Sequence, residues 1–276
     1  MLRRVTFSCS LNIFEPVPSG HTTAVRDFEE STLWRVSGFE RVRMQTGTSG
    51  FARLGDGPTL LPSTLLADLT RLEANGASDD VLEVVAASVR HHEGALLCLQ
   101  YEGLVWPVTL FPQQMLYHSP RDMATAEPAA LARVKVISTE APGVRPPGHW
   151  MHERIAQTEH YRPLQPLLWL LALEGPRTDL LGEISGTAAY RAVKSPAEEG
   201  VSLSGALRSA AHRLRRETVP LRTIAGWPGM SVERASRLLN GLYLGAALLA
   251  TRAHPAARAE PRKLRDMLLG SRPPRR

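Results

Sequence analysis

The spacing of apolar residues along this 276-residue chain changes character near residue 150. Upstream, alternating stretches mix with helical stripes; downstream, helical spacing dominates. Residues 4–14, RVTFSCSLNIF, alternate and predict a strand, and residues 22–39 predict a helix that stops at Gly38. Residues 41–58, RVRMQTGTSGFARLGDGP, are punctuated by glycine and read as short strands or loops. Leu65, Leu66, Leu69 and Leu72 form a stripe, so a helix is expected over residues 63–75, with Ser63 as its cap and Gly76 just beyond it. The next helix, residues 81–92, opens after Ser78-Asp79-Asp80 and carries Val81, Val84, Val85 and Val89 on one face. After Gly94, ALLCLQYEGLVWPVTLFP reads as a hairpin about Glu102-Gly103, in which Pro107 and Pro112 push the second strand to a sheet edge.

Residues 138–150, STEAPGVRPPGHW, hold three prolines and two glycines and read as a linker. Beyond it, helices are expected at residues 164–173, at 179–184, from Thr187, at 203–217, at 221–226 and, longest, from Ser231. The tail from residue 256 is basic, with a short helix expected at 261–269.

Composition narrows the class. The hydrophobic share of 43% and charged share of 22% are those of a globular protein able to bury a core. The two cysteines stand apart from any C-x-x-C pair, and the longest apolar runs fall far short of a membrane span, so a cytoplasmic protein without membrane contact is expected. The net charge of +6 is unevenly placed: residues 1–152 hold 13 Lys+Arg against 16 Asp+Glu, whereas residues 203–251 hold 7 against 2 and residues 252–276 hold 8 against 2. Basicity belongs to the C-terminal quarter.

That quarter contains WPGMSVERASRLLNGLYL, residues 227–244. A short helix, a turn with glycine and a longer helix follow the helix-turn-helix order. Ser231 can cap the longer helix, and Glu233 suits the positive end of its dipole. Val232, Ala235, Leu238, Leu239, Leu242, Tyr243, Ala246 and Leu249 form an inward stripe, while Glu233, Arg234, Arg237 and Asn240 fall outside it. Arginine reads guanine and asparagine reads adenine, which makes Arg234, Arg237 and Asn240 candidate base readers. Arg208, Arg213, Arg215, Arg216 and Arg222 are candidates for phosphate contacts. Gly241 and Gly245, costly inside a helix, mark a close contact with another helix, of this chain or of a second subunit.

Over residues 203–255 the pattern resembles the winged-helix/helix-turn-helix superfamily. The resemblance implies a wing strand at residues 247–253 and DNA binding, although the wing is short and apolar and the GWPG turn is stiffer than in DNA-binding members. Bacterial regulators also use this fold to bind proteins. The expected fold is therefore α+β: a mixed α/β sensory or interaction domain (1–137), the linker (138–150), an all-helical, winged-helix-like domain (151–255) and a basic tail (256–276). The expected function is a non-enzymatic, bacterial-type regulatory protein that binds DNA through the C-terminal domain. The alternative is a signalling or assembly adaptor that binds a protein partner or a second copy of itself.

Other chemistry is weaker. In HWMHE, residues 149–153, the histidines sit at i and i+3 with the glutamate outside, unlike a H-E-x-x-H zinc helix, and His91-His92-Glu93 suits a helix C-terminus. GTSG and LGDG lack phosphate-loop spacing, and Ser49 has no nucleophile-elbow context. Tyr101, Trp106, Phe111 and Tyr117 are read as core or sheet surface before a ligand platform. No catalytic residue, metal site or cofactor is expected.

Overall fold

The computed structural model describes residues 33–46, 60–152 and 155–257. The strand expected at residues 4–14, most of the helix expected at 22–39, residues 47–58 of the glycine-punctuated segment, with Ser49, and the tail helix at 261–269 lie outside them; residues 41–46 of that segment, expected as short strands or loops, are helical. β1 (Trp34–Arg35) leads directly into α1 (Val36–Thr46), so a helix begins close to where one was expected to end, and Gly38 lies inside it. Burial outweighs the glycine's cost of roughly 1 kcal/mol, because Phe39 of this helix is fully enclosed with Leu96, Cys98 and Val105. α2 (Ser63–Ala74) starts after Pro62, and Ser63 is its first residue rather than its cap. α3 (Val81–His91) is capped by the Asp80 carboxylate, which accepts from the N–H groups of Leu82 and Glu83 at 2.9 and 3.2 Å.

The hairpin forms as the pattern predicts, from β2 (Ala95–Tyr101) and β3 (Leu104–Phe111). With β4 (Leu116–His118), β5 (Lys135–Glu140) and β6 (Tyr161–Pro163) they make an antiparallel sheet in the order β5-β2-β3-β4-β6, to which β1 adds beside β3. The strand with Pro107 is thus interior, against expectation. The reason is local: on the side away from β2, β3 pairs with β1 at Leu104 and Val105 and with β4 from Thr109 onward, leaving residues 106–108 facing a gap. Gly103, of the same parity as Pro107, offers its carbonyl to Val36 on that side, so the N–H that proline lacks falls where no strand would use it. Both faces of the hairpin are covered, which is why ALLCL runs apolar without alternation. Leu97 and Leu99 face the main core, and Leu96 and Cys98 face α1.

α4 (Pro128–Leu131) precedes β5. The proline-rich segment that follows is packed down, with Ala141, Pro142, Val144 and Pro146 buried. α5 (Leu164–Glu174) follows β6, and a turn of 3-10 helix at Gly182–Ile184 occupies the place of the short helix expected at 179–184. The helix expected from Thr187 is instead a strand, β7 (Ala189–Ala192). Then come α6 (Gly205–Leu214), β8 (Val219–Pro220), α7 (Leu221–Ala225), α8 (Val232–Leu244) and β9 (Leu248–Thr251). β7 is the centre of a second antiparallel sheet, β8-β7-β9, so this region is not all-helical. Pairing on both sides satisfies its backbone, and Tyr190 is fully buried with its hydroxyl donating to the Ile184 carbonyl at 2.5 Å. β9 lies within the residues where the resemblance implies a wing strand.

One hydrophobic cluster runs from Leu33 through α3, β2, β3 and α5 to α8 and Ala247. Charged groups follow the same route. Arg177 pairs with Asp80 at 2.5 Å and with Glu83 at 2.9 Å; Arg90 pairs with Asp68 at 2.7 Å and with Glu183. Glu83, itself buried, also accepts from the Gly182 N–H at 3.0 Å. The segment after α5 is therefore bound to α3 by both oil and charge.

Candidate nucleic-acid interface

α7, the turn at Trp227–Met230 and α8 follow one another where the helix-turn-helix order was expected. Ser231 caps α8, its Oγ accepting from the Arg234 N–H at 3.1 Å. Gly229 takes φ +72° in the turn, and a Cβ there would meet Ala206 at 2.9 Å, so the turn needs glycine for both conformation and clearance. Residues Ser231 to Arg234 are exposed, but beyond them α8 is enclosed: Ala235, Leu238, Leu239 and Leu242 are fully buried, and Ser236 and Leu244 nearly so. The inward stripe is narrower at its ends than the spacing suggests, since Val232, Ala246 and Leu249 are exposed.

The candidate residues divide. Arg208, Arg213, Arg215, Arg216, Arg222 and Arg234 are exposed. Arg208 and Arg215 border one cleft with His212 between them along α6. Arg234 and Arg237 border another, with Glu174 and Glu233. Arg213 lies 4.5 Å over the Trp227 ring and pairs with Glu217 at 3.0 Å, and Arg215 stands 3.7 Å from Glu198. Arg234 donates to the Gly229 carbonyl at 2.7 Å.

Two expected base readers are used internally. Asn240 is fully buried: its Oδ1 accepts from Leu181 N–H at 3.0 Å, and its Nδ2 donates to the Asp179 carbonyl at 2.9 Å. Arg237, with a side chain only 14% exposed, donates to the carbonyls of Leu173 and Gly175 at 2.8 Å each and pairs with Glu233. Those carbonyls end α5 and lack helical partners, so Arg237 acts as a C-terminal cap. The helical wheel misplaced both because it shows which residues lie off the apolar stripe but not what polar surface packs there. Gly241 also acts within the chain: a Cβ on it would come within 2.5 Å of the Trp169 ring of α5. Gly245 is the buried C-cap of α8, donating to the Gly241 carbonyl at 3.0 Å.

The remaining candidates make internal contacts. Trp106 Nε1 donates to Ser119 Oγ at 2.7 Å, and Trp106, Phe111 and Tyr117 are core residues. His91 Nε2 lies 2.7 Å from Asp68, and His149 Nδ1 accepts from the Met151 N–H. Among the described residues, no group of three or more His, Cys, Asp or Glu is arranged to hold a metal ion, and no helix is long and apolar enough to cross a membrane.

Compared with known proteins, the chain matches no family model, no curated protein and no solved structure.

Proposed function

We propose that the protein is a non-enzymatic regulatory protein of bacterial type that binds DNA through α6, α7 and the first turn of α8. The observation that carries this reading is the presentation of α8. Its body is locked in the core while its N-terminal turn, Ser231 to Arg234, is exposed, as are Arg208, Arg213, Arg215 and Arg216 on and just after α6 and Arg222 on α7. A helix N-terminus and guanidinium groups both favour phosphate. Arg208, Arg213, Arg215, Arg216 and Arg222 hold the backbone, and Arg234 is the one reader left at a base edge.

The test uses the full chain and a mixed-sequence duplex followed by fluorescence anisotropy. Affinity is expected to fall linearly in log–log form with salt, and Arg216→Ala or Arg222→Ala to lower the slope by about one contact each. Absence of duplex binding at low salt would overturn the reading.

A second reading, a protein-binding adaptor, is favoured by the fate of Arg237 and Asn240 and by β9. That strand pairs with β7 upstream, and among the described residues no later strand pairs with it to form a wing hairpin. Its exposed Leu249 lies opposite exposed Arg191, with exposed Val193 two residues on. This reading expects Leu249→Asp to dissociate a defined complex or oligomer without changing duplex affinity. A monomer before and after the substitution counts against it.

A further inference from the structure

The end of α3, the end of β3 and the packed segment 141–149 surround a cleft of about 250 Å³, far from the basic helices in sequence. Its apolar lining includes Leu60, Pro62, Phe111, Pro112, Pro142 and Pro146. Phe111 is itself held by Tyr161, ring centroids 6.1 Å apart. The cleft has one permanent cation, Arg145. Its backbone is pinned, the carbonyl accepting from the Tyr161 hydroxyl at 2.5 Å and a lone parallel bridge joining it to Ile155. Its side chain is not. Nε is shut off from solvent without a hydrogen-bond partner, and among the described residues the guanidinium pairs with no carboxylate. The unmet Nε is costly where it lies, while Arg145 as a whole is half-buried and lines the cleft, so its guanidinium can turn to an acceptor placed there.

We propose that this cleft binds a small organic carboxylate whose apolar body lies against Phe111 and the prolines and whose carboxylate meets Arg145. The guanidinium fork matches the two oxygens of a carboxylate. Glu93 also lines the cleft; its charge opposes an anion there and opposes a doubly charged phosphate more than a singly charged carboxylate. The volume is below that of most drug-sized ligand sites, which suits a small molecule over a peptide.

Phenylacetate, its neutral isostere phenylacetamide and inorganic phosphate are the probes, titrated against the full chain by calorimetry and ligand-observed NMR. Phenylacetate is expected to bind with a Kd on the order of 1 mM or tighter, as its size permits, with phenylacetamide and phosphate at least about tenfold weaker. Arg145→Gln should lose at least about tenfold in phenylacetate affinity, and Glu93→Gln should gain roughly twofold to fivefold by removing the repelling charge. Equal binding of acid and amide overturns the proposal, as does equal binding of phosphate or an unchanged affinity in folded Arg145→Gln. If that variant does not fold, Glu93→Gln decides: unchanged affinity there overturns it too.

Discussion

Single residues at the end of α8 show how local rules and packing divide the work. Ala246 follows the C-cap Gly245 and takes φ +51°, with its N–H donating to the Tyr243 carbonyl and that of Ala247 to Leu242 at 2.8 Å. This is a Schellman ending with alanine where glycine is usual. A left-handed alanine costs about 1–2 kcal/mol, of which glycine's extra freedom in the unfolded chain returns part. Ala246→Gly should therefore raise stability by about 0.5–1 kcal/mol, seen as a melting temperature higher by roughly 1–2 °C. At Gly241 the balance is opposite. Alanine improves helix propensity by about 1 kcal/mol, yet its methyl would collide with Trp169, so Gly241→Ala should destabilise by about 1–3 kcal/mol. In a double-mutant cycle, Trp169→Leu should restore part of that loss; simple additivity of the two substitutions would argue against the ring as the cause. The need for a close approach at Gly241 was legible in the sequence. Its partner was not, because Trp169 is separated from it by most of the C-terminal half.

Among elements, the sheet edge formed by β4 and β6 carries the clearest pH signature. His118 on β4 lies against Tyr161 at 5.0 Å and His160 at 5.8 Å between ring centroids. Burial, then the charges of His160 and Arg162, push its pKa from 6.5 down to about 4. In the unfolded chain the imidazole takes a proton as pH falls through 6.5, whereas in the folded chain it resists until about 4. Folding stability is therefore unaffected above this window and declines as pH drops across it. Between pH 7 and pH 5 the loss should be about 1–2 kcal/mol by urea denaturation, and His118→Phe should remove that component. A pH dependence identical in the variant would refute the assignment. Elements with a single strong local signal were readable in advance: α3 with its capping aspartate, the β2–β3 hairpin, α5 and α8. Those decided by neighbours were not. Residues from Thr187 have a helical composition, but β8 and β9 on either side make β7 a strand, and Pro107 is tolerated inside a sheet only because a gap lies beside it.

At the scale of the molecule, the apolar cluster and the Arg177 and Arg90 ion pairs join residues on both sides of position 150. A fragment beginning at residue 151 would leave Arg177 without Asp80 and Glu83, and would remove the α3, β2 and β3 members of the shared apolar cluster. Removing one member of a buried ion pair costs about 3–5 kcal/mol, and loss of the apolar cover adds to it. Such a fragment should show no cooperative thermal transition, whereas the full chain should melt with one; a cooperative melt of the fragment would refute this coupling. For the same reason the duplex-binding test belongs on the full chain.

The sequence by itself determined which segments carry apolar stripes, where α3 and α8 are capped, where the hairpin turns, and that positive charge gathers in the last quarter. These follow from composition and from spacings of a few residues. Tertiary structure alone decided which polar residues face outward. Arg237 and Asn240 look equivalent to Arg234 on a helical wheel, yet one caps α5 and the other is tied to residues 179–181. The three carbonyls and the one N–H that claim them lie some sixty residues away, beyond the reach of any local pattern.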